Sequence, residues 1–140
     1  TGARDLVITA GDDDQRDFLG YALSFDRLAA TPIGAKFGNS VNVSQSSYGL
    51  TLDVTDANSR LVGLVAAMHT RVYPLALNAG WSTVSPAART GTGGAADVTG
   101  ICGQRAASAT GATTMTGTTT KVGSPVADWW CAVGLEVLPA

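Results

Sequence analysis

Trp129-Trp130-Cys131-Ala132-Val133-Gly134-Leu135-Glu136-Val137-Leu138 is the stretch on which the fold turns. Trp129, Cys131, Val133, Leu135 and Val137 alternate with Trp130, Ala132, Gly134, Glu136 and Leu138. That is the period of a β-strand, whose successive side chains point to opposite faces. The first set is apolar throughout and is expected to be the inner face of a packed sheet. Two adjacent tryptophans on a strand face opposite sides. One belongs to the core, and an outward Trp130 is a candidate contact residue. The chain ends at Ala140, so this segment is expected to be a buried terminal strand that closes the fold.

Working back from that strand, short β-like runs alternate with turn residues. Gly123, Ser124 and Pro125 mark a turn. Residues 108–120 carry seven threonines and little to bury except Met115, which predicts an exposed or edge strand. Residues 96–104 regain strand character with Val98, Ile101 and Cys102, after a loop at 90–94. Gly80-Trp81 opens a segment through Val84 that Pro86 is expected to end. Leu61 to Met68 is apolar on both faces, which suits a central strand, with a short buried helix as the alternative. Asp56-Ala57-Asn58-Ser59 is a turn by composition, since Asp and Asn bond their own backbone there. Leu50, Leu52 and Val54 alternate with polar residues, as do Val41 and Val43. Residues 18–30 fit either a strand or a helical face; Gly20 and the aromatics favour the strand. Pro32 and Gly34 are expected to break the chain after it. The whole is mainly β: an antiparallel β-sandwich, jelly-roll-like, over residues 46–140, with an N-terminal arm or extra strands over 1–45.

The 140 residues suit one domain, and 45% hydrophobic content supplies a core. Charged residues are only 14%, well under the roughly 25% usual in soluble domains. A neutral surface of this kind tends to be covered by a partner. The net charge of -2 and the scattered basic residues argue against nucleic-acid binding. No stretch approaches the roughly 20 apolar residues of a membrane span. The N-terminal residues show no basic-then-apolar signal peptide, and a start at Thr1 is compatible with removal of an initiator Met or of a longer leader.

Catalytic constellations are sparse. His69 is the single histidine, and it has no Gly-x-Ser-x-Gly elbow to serve. Cys102 and Cys131 are not in a Cys-x-x-Cys spacing, and with one histidine they make a poor zinc set. They form one disulfide or stay as two buried thiols, and the thiols are preferred. Asp12, Asp13 and Asp14 form an acidic turn without the spacing of a calcium loop, and are expected to be an exposed patch that meets a neighbouring chain. Gly91-Thr92-Gly93-Gly94 lacks the Lys-Ser/Thr of a phosphate loop. Trp81 and Trp130 are the aromatic candidates for an interface or a sugar platform. No cofactor and no metal are expected, and no enzymatic activity.

Three stretches carry a resemblance: SerTyrGlyLeuThrLeuAspValThrAspAlaAsnSerArgLeuValGlyLeuVal at 47–65, AlaGlyTrpSerThrVal at 79–84, and AlaAspTrpTrpCysAlaValGlyLeuGluValLeu at 127–138. From about Tyr48 to Ala140 the chain resembles β-sandwich structural proteins of tailed-bacteriophage virions, both head-decoration and minor tail proteins. The resemblance implies a virion location, on capsid surface or tail. It also implies other virion proteins as partners, major capsid protein or tail proteins, together with homo-oligomers. A capsid decoration (cement) role follows first. The alternative is a tail or surface β-sandwich binding module that recognises carbohydrate or a host surface, and the third possibility is a hydrolase using His69 with Asp residues.

Overall fold

The computed structural model describes residues 21–43, 45–69, 75–90, 97–119 and 129–140. They form β1 (Leu28–Val41), β2 (Ser47–Val54), β3 (Arg60–His69), β4 (Leu75–Leu77), β5 (Ser82–Thr90), β6 (Asp97–Ala106), β7 (Gly111–Thr119) and β8 (Trp129–Pro139). No helix occurs among the described residues. Two antiparallel sheets result, one ordered β1-β8-β3-β6-β5 and the other β2-β7-β4, facing each other as a β-sandwich.

Alternation accounts for the inner faces. Leu50, Leu52 and Val54 point inward from β2, and Leu61, Val65 and Ala67 from β3. The run 61–68 is a strand, not a helix, and lies mid-sheet between β8 and β6, which explains its apolar character on both faces. At 56–59 the turn closes as its composition implies. The Ser59 amide donates to the Asp56 carbonyl at 3.1 Å, and the Asn58 amide to the Asp56 side chain at 2.7 Å.

Three glycines set how closely the sheets approach. Gly134, Gly63 and Gly103 stand side by side on β8, β3 and β6. A Cβ on Gly134 would lie 2.9 Å from Leu50 Cδ1, and one on Gly63 or Gly103 would meet Met115 Sδ or Leu77 Cδ1 at 2.5 Å. The bare row is a furrow that receives Leu50, Met115 and Leu77, one from each strand of the opposite sheet.

Several local expectations are corrected. Pro32 and Gly34 do not break the chain; both lie within β1. This strand is an edge, and its register slips between Leu28 and Ile33 and again between Ile33 and Lys36, so a missing amide there costs no ladder bond. Pro86 likewise sits inside edge strand β5, within the register slip between Ser85 and Ala88. Residues 21–27 are neither strand nor helix. The Thr-rich segment is not an edge: β7 is the middle of its sheet, with Thr51 and Thr114 hydroxyls bonded at 2.9 Å on the outside. Of the segment 1–45, residues 28–41 pair with β8 as part of the larger sheet.

The largest correction concerns β8. Its inner face is Trp130, Ala132, Gly134 and Glu136; Trp129, Cys131, Val133 and Leu135 face outward. The more apolar set, apart from buried Val137, is the one in contact with solvent.

Candidate association surface

Two anchors fix the parity of β8. At one end the Trp130 indole, 2% exposed, donates to the Gln45 carbonyl at 3.2 Å and leans on the Tyr48 ring at 6.3 Å. At the other end Glu136 is fully enclosed. Its Oε1 accepts from the Thr55 amide, the Asp56 amide and the Ser59 hydroxyl, each at 2.9 Å. Its Oε2 accepts from the Ala35 amide at 2.9 Å and the Thr55 hydroxyl at 2.7 Å. Burial alone would raise the carboxyl's pKa. The bonds from Ala35, Thr55, Asp56 and Ser59 outweigh that and bring it from 4.5 to about 2. One carboxylate thus ties β8 to β1 and to the β2–β3 turn.

With Glu136 and Trp130 inward, every second residue must face out. Across β8, β3 and β6 the outward positions align as Leu135–Val62–Gln104, Val133–Leu64–Cys102, Cys131–Ala66–Gly100 and Trp129–Met68–Val98. None of these twelve residues is charged. Trp129 is 47% exposed, Val133 50% and Leu135 41%. The segment Tyr21–Leu28 crosses this face. It is pinned at one end by the Tyr21 hydroxyl donating to the Gly100 carbonyl at 3.0 Å, and at the other by the Ala140 amide donating to the Arg27 carbonyl at 2.9 Å. Arg27 takes the left-handed conformation, with φ of 53°, at the bend into β1. Between the segment and the sheet lies an open groove of about 520 Å³, walled by Leu23, Phe25, Ile33, Leu64, Val133 and Leu135 among others.

The cysteines are both free. Cys102 is buried on the groove floor, and burial pushes its thiol pKa up. Cys131 is exposed. Partial desolvation raises its pKa, and a hydrogen bond with the Ala66 backbone offsets part of the rise.

The outward tryptophan is therefore Trp129, and Trp130 is corrected to a core residue. Trp81 is also buried, with its indole donating to the Thr114 carbonyl at 3.0 Å, because the turn at Asn78–Gly80 swings it beneath β7. Asp12, Asp13, Asp14 and the 91–94 loop lie outside the described residues. His69 ends β3. Among the described residues no three His, Cys, Asp or Glu side chains gather as a metal set, and no helix is long and apolar enough to cross a membrane. Apolar alternation on β8 missed Trp129 and Glu136; the available signal was Gly134, whose missing side chain suits the crowded face.

Comparison with protein families, with curated proteins and with solved structures finds no match.

Proposed function

We propose that this chain is a structural virion protein, a capsid decoration protein that stabilises a phage head by packing against other subunits. The observation that carries this is the outward-facing apolar set of β8. A strand that places glycine and a carboxylate inside and Trp129, Val133 and Leu135 outside is built to be covered. An uncharged centre across β8, β3 and β6, bordered on β1 by exposed Lys36 beside Leu135, has the composition of an interface core with a charged rim.

Two further features support it. Strands 1-8-3-6 in one sheet and 2-7-4 in the other follow the order of a rolled antiparallel ribbon, the jelly roll found in viral capsid and lectin domains; β5 departs by pairing with β6. Among the described strands, the edges β1 and β5 carry a proline and register slips, and β4 has three residues. That leaves β2, from Ser47 to Val54, as the long regular edge able to accept a strand from a neighbour. A carbohydrate site would rest on Trp81 or Trp130 with loop polar groups, and both of these indoles are buried.

The test uses particles that carry the protein. Stripping it should lower their resistance to heat or chaotrope, and adding the purified chain back should restore it. Particles equally resistant with and without it would remove the proposal.

A further inference from the structure

We infer that a second copy of this chain covers the outer face of the five-stranded sheet, in a two-fold pair where Trp129 of each copy fills the groove of the other. This rests on the association role proposed above and names the occupant of that surface.

A two-fold interface must be self-complementary, with position i meeting j and j meeting i. This face holds a projection and a recess on the same strand. Trp129 projects from one end of β8, and Val133 and Leu135 wall the groove further along. Positions 129 and 133 are separated by about 13 Å of extended chain. A two-fold axis lying in the interface and crossing β8 at Cys131 exchanges them. Each indole then lands on the Val133 side of the opposite groove, which at about 520 Å³ holds an indole with room left for the surrounding side chains.

The area agrees. Leu23, Phe25, Leu28, Ile33, Val133 and Leu135 are exposed around the groove, and Trp129 extends the same face. Their combined open surface is roughly 500 Å², near the upper end for a monomer's largest apolar patch. A standard interface buries about 800 Å² per partner, of which about 60% is apolar, so it needs nearly the same amount. The rows across β8, β3 and β6 place no charge at the centre of the pair, and the nearby charges, Lys36 beside Leu135 and the oppositely charged Asp26 and Arg27 of the crossing segment, stand around it.

Sedimentation equilibrium on the full chain reads the pair directly. The parent is expected to dimerise, and Trp129→Ala to weaken dimerisation on the order of 1,000-fold, because the pair loses two tryptophan contacts of about 30-fold each. Val133→Arg should block the groove and do the same. Both side chains are half open, so circular dichroism and melting should show intact folds. Mixing the two variants should give pairs tighter than Val133→Arg forms alone, because a mixed pair keeps one intact tryptophan-in-groove contact. A short bifunctional maleimide should join Cys131 to Cys131, and Cys131→Ser should abolish the product. A monomeric parent, an unchanged Trp129→Ala constant or no gain on mixing would each overturn the inference. A monomer that still restores stripped particles would sink this pair alone; a dimer that fails to restore them would sink the decoration role alone.

Discussion

Replacing Glu136 by glutamine tests the strand parity on which the surface depends. The carboxylate accepts five hydrogen bonds and donates none. A glutamine keeps one acceptor oxygen and puts an NH2 in place of the other. If the amide oxygen takes the Oε1 site, the NH2 faces the Ala35 amide, donor against donor. The Thr55 hydroxyl can turn to accept, but Ala35 is left unpaired. One charged-acceptor bond lost and one buried donor stranded cost about 3 kcal/mol. The pKa gives a similar size by a separate route. A fall from 4.5 to about 2 on folding is worth on the order of 3 kcal/mol. Because the folded-state pKa is the lower one, that stability is fully present above pH 4.5 and is lost as the pH falls toward 2. Urea or thermal unfolding of the parent and Glu136→Gln at pH 7 should differ by about 3 kcal/mol, or roughly 10 °C for a chain of this length. The gap should close between pH 4.5 and 2. A variant as stable as the parent at neutral pH, or a gap that does not change with pH, would refute the buried carboxylate and with it the inward face of β8.

Other substitutions separate the inner from the outer set. Trp130→Ala should cost about 3–5 kcal/mol by urea unfolding, as for a buried aromatic, while Trp129→Ala should cost under about 1 kcal/mol in the dispersed chain. Gly63→Ala should destabilise by about 1–3 kcal/mol, since its Cβ would press on Met115 Sδ, and combining it with Met115→Ala should cost less than the sum of the two. Trp81→Phe, which removes the indole's bond to the Thr114 carbonyl and leaves the Asn78 side-chain amide as its donor, should cost about 1 kcal/mol, read in the same unfolding assay. A thiol reagent should modify exposed Cys131 in the native chain and reach Cys102 only on unfolding, with both slower than an ordinary thiol at neutral pH.

The β class and the strand positions were legible because Leu50, Leu52 and Val54 and the turn at 56–59 each speak locally, through period and turn chemistry. The 61–68 run announced a central strand by being apolar on both sides. The parity of β8 was not legible in the same way. Both of its faces contain a tryptophan and aliphatics, so alternation alone identifies two faces without saying which is inside. The choice is made by partners distant in sequence: Leu50 needs the space at Gly134, and Thr55, Asp56 and Ser59 need the Glu136 carboxylate. Prolines 32 and 86 misled because their cost depends on edge position, which is a property of the assembled sheet. The candidate site shared this fate. Trp81 and Trp130 stand out in the sequence only as aromatics, and tertiary packing buries both and leaves Trp129 exposed.

Single cysteines introduced along β8 in a Cys131→Ser background, with maleimide labelling rates read in dispersed and particle-bound chain, address the outward apolar face most directly. Cysteine at 129, 133 or 135, and the native thiol at 131, should label in chain diluted to the monomer and become protected on pairing and on assembly. Ala132→Cys should stay protected in both. Labelling at 132 with protection at 133 and 135 in the dispersed chain, or outward positions equally reactive before and after assembly, would contradict the account.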